Sequence, residues 1–105
     1  MPTEVPNGPW KLLGSDIFEV INVSYIIVSD YFSKFPVIRK SRGPVTATFL
    51  IEFLEELCAM FGVPDEIRSD NGPQYTAETF KSFCNEWGIK HTTSSPHYAR
   101  SNGFI

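Results

Sequence analysis

Residues 43–64 read GPVTATFLIEFLEELCAMFGVP and carry the longest helical pattern in the chain. Large apolar side chains recur there at steps of three and four residues, which places them on one broad face of a helix. These side chains are Val45, Phe49, Leu50, Phe53, Leu54, Leu57, Met60 and Phe61. Proline suits a first turn, while Gly62 followed by Pro64 suits a helix end. The pattern therefore predicts a long amphipathic helix that Gly43 and Pro44 open.

Three β-favouring segments precede this helix. The first covers residues 12–20, and the second covers residues 25–29 after a turn at residues 22–24. The third covers residues 35–39 and includes Pro36, which lacks a backbone N–H. Because proline cannot donate a backbone hydrogen bond to a neighbouring strand, the third segment is predicted to be an edge strand.

Shorter elements follow the helix. Residues 66–69 form a predicted strand, and Thr76 is a plausible N-cap for a second helix that Gly88 stops. The apolar face of that helix would be Phe80, Phe83, Cys84 and Trp87. Residues 89–92 make a last strand. The order of elements predicts an α/β fold whose mixed sheet is antiparallel at the start, parallel afterwards and packed against helices.

Size and composition indicate one domain and exclude several classes of protein. A chain of 105 residues is too short for a second core, and it has no apolar run near the ~20 residues that span a membrane. The proline-rich residues 1–9 are predicted to be a linker and do not resemble a secretory signal, so an intracellular protein is expected. Cys58 and Cys84 lack metal-site spacing, which favours reduced core thiols.

The net charge of −3 gives no general support for nucleic-acid binding, so such a function must rest on local features. One feature is Asp16, which lies inside the first apolar strand. A carboxylate there is costly unless it is paired, hydrogen-bonded or metal-bound. The alternative is an aspartate that faces water.

A second feature is Asp70 in the segment RSDNGPQY, residues 68–75, where a strand ends and a glycine turn begins. Ligand sites in α/β sheets collect at such strand ends. The same residues also make an ordinary Asp-Asn-Gly-Pro turn. The third feature is the polar segment TSSPHYARSNG, residues 93–103, which could contact a phosphate backbone or could simply be a solvated connection.

In their order and spacing these motifs resemble the catalytic core of retroviral-type integrases, and more closely that of gypsy-type long-terminal-repeat retrotransposons and genes derived from them. The resemblance covers residues 9–103. Its main segments are Pro9-Trp10 through Gly14-x-Asp16-Ile17-Phe18, Ile27-Val28-x-Asp30-Tyr31-Phe32-Ser33-Lys34-Phe35, Phe61-Gly62-Val63-Pro64, Ser69 to Tyr75, and Ser94 to Tyr98 with Ser101-Asn102-Gly103. It implies a ribonuclease-H-like fold, with residues 10–105 as an incomplete catalytic core. The implied activity is DNA integration by 3′-end processing and strand transfer.

The resemblance also implies a site. The family uses three carboxylates, Asp, Asp and Glu, and the first two match Asp16 and Asp70. Residues 71–105 number thirty-five, the family spacing, so the glutamate would be the 106th residue. Asp16 and Asp70 would bind Mg²⁺, or Mn²⁺, and without the third acid we expect the 105 residues to be inactive. Contacts to DNA are expected from Lys90, His97, Tyr98, Arg100 and Asn102.

Two alternatives remain open from the sequence. One is a catalytically inactive, domesticated or truncated remnant that still binds DNA or protein. The other is a different ribonuclease-H-like nuclease, for which Asp30 is the one other strand-end aspartate. If the integrase resemblance holds, the complete protein is expected to bind retroelement ends and target DNA, to form a homo-oligomer and to act in the nucleus, with no membrane partner.

Overall fold

The computed structural model describes residues 8–93, which form a five-stranded mixed sheet with helices packed on one face. In chain order the elements are β1 Leu12–Val20, β2 Val23–Asp30, β3 Pro36–Arg42, α1 Ala47–Phe61, β4 Glu66–Ser69, α2 Pro73–Thr76, α3 Glu78–Trp87 and β5 Lys90–Thr93. The sheet order is β3-β2-β1-β4-β5. β1, β2 and β3 pair antiparallel, whereas β4 and β5 join in parallel. The predicted α/β mixed sheet is confirmed.

The core lies between one face of the sheet and the helices. Alternate residues of the strands point into it, as the period of a β-strand requires, and Ile26 and Val28 of β2 are fully buried. From α1 the buried apolar side chains are Leu50, Phe53, Leu54 and Leu57. The opposite face of the sheet is more open, and Phe18 of β1 and Ile38 of β3 are exposed there. The candidate site residues lie at this open face and at the strand ends that border it.

The long helix begins later than the sequence predicted. α1 starts at Ala47, and the hydroxyl of Thr46 caps it by accepting the Phe49 N–H at 3.0 Å. Gly43 and Pro44 therefore precede the helix, because a threonine with extended backbone satisfies a free first-turn N–H that proline cannot. The predicted stop at Gly62 is confirmed: its φ is 100°, and its N–H binds the Cys58 carbonyl at 2.8 Å.

The predicted apolar face of α1 was too long. Met60 and Phe61 are 65% and 48% exposed, since they lie in the last turn, beyond the part of the helix that covers the sheet. Trp87 was also assigned to a buried face and is 37% exposed, at the end of α3. Its ring contacts Phe83, with the centroids 5.4 Å apart.

Thr76 is not the N-cap of the second helix, and that prediction was wrong. Pro73 starts a separate helical turn, α2, in which Thr76 is the last residue. The longer helix α3 begins at Glu78 after the extended Ala77, which provides no side-chain cap. Gly88 ends α3 in a left-handed conformation, φ 70°, as predicted.

All five predicted strands are present, and three of them differ from the prediction in their bounds. β1 and β4 have the predicted bounds, and β3 is an edge strand, as expected, although it covers Pro36–Arg42 and not residues 35–39. β2 begins at Val23, earlier than predicted, because Ile21 and Asn22 both have positive φ and make a two-residue hairpin turn. β5 begins one residue later than predicted, at Lys90.

The two cysteines are free and buried, as predicted. Burial raises the pKa of Cys84 to about 11, and the nearby Cys58 adds to the rise. Both thiols are therefore neutral core side chains at ordinary pH.

Candidate active site

The fold brings the two predicted carboxylates together. Asp16 lies in β1 and Asp70 directly follows β4, and these strands pair in parallel with Gly14 opposite Arg68. Continuing that register by two residues brings Asp16 beside Asp70. Both side chains line one cleft of about 730 Å³ on the open face of the sheet.

Each carboxylate is exposed and is oriented by a nearby backbone N–H. The Oδ1 atom of Asp16 accepts the Ile17 N–H at 3.0 Å. The Oδ1 atom of Asp70 accepts the Gly72 N–H at 2.8 Å, which closes the turn that follows β4. Asp70 is therefore a turn residue and a cleft residue at once, so the two interpretations of it do not exclude each other.

Each of the two aspartates follows a buried serine that is tied to a buried or half-buried ring. The hydroxyl of Ser15 is 2.8 Å from that of Tyr75. The hydroxyl of Ser69 donates to the Asp70 carbonyl at 2.9 Å and lies 2.7 Å from Nε2 of His91. Because Ser69 has a single proton, His91 must donate from Nε2 in this arrangement. These bonds fix the backbone from which the carboxylates project.

Asp16 and Asp70 both affect the pKa of the buried Tyr75 hydroxyl. Burial raises the pKa of the Tyr75 hydroxyl far above its ordinary value, although the hydrogen bond with Ser15 opposes this. The negative charges of Asp16 and Asp70 raise it further. Both carboxylates therefore favour the protonated form of the same buried hydroxyl. Tyr75 remains neutral beneath the cleft.

Sequence reasoning missed two cations that line the same cleft, Arg68 and Lys34. Arg68 precedes Asp70 by two residues, so the two-residue period of a strand could have placed it on the same side. Lys34 offers no such signal, because the turn after β2 brings it to the cleft. Both cations lie at the Tyr31 ring.

Asp30 also borders the cleft, but its oxygens serve the local structure. The Trp10 N–H at 3.1 Å and the Phe32 N–H at 3.2 Å donate to Oδ1, and the Ser33 hydroxyl donates to Oδ2 at 2.9 Å. Burial alone would raise the pKa of Asp30, but these hydrogen bonds outweigh it and the net pKa is lowered. Its 4% exposure and its bonds argue against the nuclease that would use Asp30 as a catalytic acid.

The predicted DNA contacts are only partly within the described residues. Lys90 is exposed at the start of β5, opposite Glu66, so it lies at the other end of the strands from Asp70 and does not line the cleft. His97, Tyr98, Arg100 and Asn102 lie outside residues 8–93. Within that range no group of three His, Cys, Asp or Glu side chains is arranged to hold a metal ion. No helix in the same range is long and apolar enough to cross a bilayer.

Comparison with known proteins identifies a family and curated relatives. The family described as Integrase core domain matches residues 6–99. An uncharacterized protein of Caenorhabditis elegans is 38% identical over 103 residues, 97% of this chain. The Gag-Pro-Pol polyproteins of simian retrovirus SRV-1 and Mason-Pfizer monkey virus are 34% and 35% identical over 102 and 101 residues, 96% and 95% of this chain. The chain spans only 6–8% of the length of these relatives.

Solved structures agree with this relationship. A simian T-cell lymphotropic virus intasome, solved in complex with PP2A regulatory subunit B56 gamma, matches 95% of this chain and 40% of its own, with a TM-score of 0.76 and 27% identity. The HTLV-2 integrase catalytic core domain, solved as a dimeric form with magnesium, matches 90% of this chain and 65% of its own. Its TM-score is 0.74 at 24% identity, which supports the ribonuclease-H-like fold. The chain therefore belongs to the integrase core domain family.

Proposed function

We propose that this chain provides two catalytic carboxylates, Asp16 and Asp70, for DNA integration by metal-dependent phosphoryl transfer. The reaction would comprise processing of DNA 3′ ends and transfer of those ends into target DNA. The observation that supports the proposal is that both side chains line one cleft, Asp16 from within β1 and Asp70 from the end of the parallel neighbouring strand β4. The family assignment agrees with a reaction on DNA.

The donor set suits magnesium or manganese. Both groups are exposed carboxylates with backbone-oriented oxygens, and Mg²⁺ prefers oxygen ligands. Asp16 and Asp70 would hold the ion, which when bound stabilises charge on the reacting oxygens of a phosphodiester. The tethered residues Ser15 and Ser69 would keep the two carboxylates in register during the reaction. The hydrogen bond of Ser15 joins β1 to α2, and that of Ser69 joins β4 to β5.

The third acid of the family pattern would occupy position 106, which the 105 residues do not include. We therefore expect a polypeptide of these residues to lack measurable activity by itself. The second candidate function is binding of DNA or protein without catalysis. It is supported by the cleft of residues 8–93, where Asp16 and Asp70 are exposed while local hydrogen bonds engage the oxygens of Asp30.

Further parts of the proposal concern the complete protein. Residues 10–105 would belong to its catalytic core and residues 1–9 to a linker. The protein would act on retroelement ends and target DNA in the nucleus, as a homo-oligomer. The dimeric form and the intasome of the two related structures support the last point. Additional DNA contacts would come from Lys90, His97, Tyr98, Arg100 and Asn102.

The test compares the 105-residue polypeptide with a longer one that continues through a glutamate at position 106 and the segment after it. Each is incubated with a labelled DNA end and magnesium, then manganese. We expect product from the longer form alone. Asp16→Asn or Asp70→Asn in that form should lower the rate roughly hundredfold or more, because several kcal/mol of transition-state stabilisation are lost.

Asp65→Asn is the matched control, since Asp65 is an exposed aspartate before β4 that does not line the cleft. It should leave the rate unchanged. Product from the short form that disappears with Asp70→Asn would show that two carboxylates suffice. A longer form that binds DNA without making product would favour the non-catalytic function.

A further inference from the structure

A pair of cations lies on an aromatic ring beside the two carboxylates. The guanidinium carbon of Arg68 is 5.6 Å from the centroid of the Tyr31 ring, and Nζ of Lys34 is 6.0 Å from the same centroid. All three residues line the cleft that contains Asp16 and Asp70. Both distances are within the range of a cation–π interaction, so one ring positions both positive charges.

The backbone holds this ring and Lys34 in place. The Tyr31 N–H donates to the Leu12 carbonyl at 3.0 Å, and the Lys34 N–H donates to the Asp30 carbonyl at 2.7 Å. Lys34 has a φ of 66°, a left-handed conformation that turns the chain back to the cleft. The ring itself lies against Gly14, where a Cβ atom would come within 2.9 Å of Tyr31 Cε1. Backbone hydrogen bonds and the packing of Tyr31 on Gly14 therefore fix the positions of the two cations.

The site aspartates do not neutralise these cations by direct pairing. Among residues 8–93 the ion pairs within 4.0 Å are Arg68 with Glu66 and Arg39 with Glu56. Glu66 accepts from Nε of Arg68 at 3.3 Å and orients it, while 31% of the Arg68 side chain remains exposed. Lys34 is exposed too. Lys34 and Arg68, the latter paired with Glu66 only through Nε, thus line the cleft beside Asp16 and Asp70, and their remaining N–H groups suit contacts with a phosphate.

We propose that Arg68 and Lys34, presented by Tyr31, form a phosphate-binding subsite that positions the DNA backbone next to Asp16 and Asp70. The inference rests on the proposed function and adds to it the residues that guide the strand. A strand whose reacting phosphodiester lies at the carboxylates continues past Arg68 and Lys34, because all of them line one cleft. Arginine and lysine are the side chains that most often bind backbone phosphates.

The test measures binding of a labelled DNA duplex to the 105-residue chain by fluorescence anisotropy across a series of salt concentrations. Arg68→Gln and Lys34→Gln should each weaken binding by about tenfold and reduce the slope of log affinity against log salt by about 0.9. Arg68→Lys keeps the charge and should keep the slope. Lys81→Gln, a matched charge change on α3 outside the cleft, should alter affinity less than about twofold.

The outcomes separate the two proposals. If the chain binds DNA and both cleft variants behave like Lys81→Gln, the subsite is refuted while the proposed function stands. If the unchanged chain shows no salt-dependent binding, the subsite is refuted, whereas the proposed function is decided by product formation in the longer form. Thermal melts followed by circular dichroism identify any variant that does not fold, and a fall in slope for Lys34→Gln with an unchanged melt supports the subsite.

Discussion

The absence of a side chain at Gly14 shapes the cleft. It lies two residues before Asp16 in β1, and the Tyr31 ring covers it. A methyl group at this position would meet the ring edge at 2.9 Å, closer than real Cβ contacts come. Only glycine therefore lets the ring lie against the sheet at this point, where it presents Arg68 and Lys34.

Gly14→Ala should lower the free energy of unfolding by about 1–3 kcal/mol, because the added methyl group overpacks the contact with Tyr31. Urea denaturation measures the change. Gly8→Ala is the comparison, since its nearest neighbour is the flexible end of Lys11 at 3.3 Å, and its effect should stay within about 0.5 kcal/mol.

A double variant gives a sharper check of the same contact. Adding Tyr31→Ala removes the ring with which the new methyl group collides, so Gly14→Ala should cost much less in that background than alone. Equal costs in the two backgrounds would mean that the Tyr31 ring is not what excludes a side chain at Gly14.

At the scale of elements, α1 depends on a cap that the sequence pattern did not single out. Thr46 has extended backbone and accepts the Phe49 N–H, whereas the apolar pattern alone extended the helix back to Pro44. A helix start leaves four backbone N–H groups without helical partners, so the residue that satisfies one of them fixes the boundary.

Thr46→Ala should destabilise the fold by about 1 kcal/mol, the usual cost of losing a threonine cap. Urea denaturation again provides the measurement. Thr48→Ala makes the same chemical change two residues later, at an exposed position within the first turn of α1, and should be neutral or slightly stabilising because alanine is the better helix former. Equal losses from the two variants would show that the cap is unimportant.

For the whole molecule, three titratable groups among residues 8–93 have lowered pKa values and couple stability to acid pH. Burial lowers the pKa of His91 below its ordinary 6.5. Burial would raise the pKa of Asp30 and Glu66, but hydrogen bonds to their carboxylates outweigh it. The net pKa of Asp30 is below 3.8, and that of Glu66 is below 4.5. In all three cases the unfolded chain binds protons more readily, so stability is fully present above the ordinary pKa and is lost as pH falls below it.

We expect the free energy of unfolding to fall first below about pH 6.5, when unfolded His91 takes up a proton, and again below about pH 4.5, when the acids do. Urea denaturation at pH 7.5, 5.5 and 3.5 measures both steps. His91→Gln, which keeps a donor for Ser69, should reduce the first step and leave the second. A first step of unchanged size in that variant would exclude His91 as its cause.

Local chemistry in the sequence was enough to predict much of the framework. Pro36 marks the edge strand because it cannot donate a hydrogen bond, and Gly62 and Gly88 end the two longer helices because they adopt positive φ readily. Asp16 stood out because a carboxylate inside an apolar strand is costly without a partner, and Asp70 because it lies where a strand ends and a turn begins. Each of these signals lies within a few residues of its effect.

Only the tertiary structure decided which side chains meet. The sheet order β3-β2-β1-β4-β5 brings Asp16 next to Asp70, and the turn after β2 carries Lys34 to the ring that Arg68 also contacts. The tether from Ser69 to His91 spans two strands in the same way. Such contacts join residues that are distant in the chain, so no local pattern encodes them. By itself the sequence determined the candidate carboxylates, and the packing of the sheet decided what surrounds them.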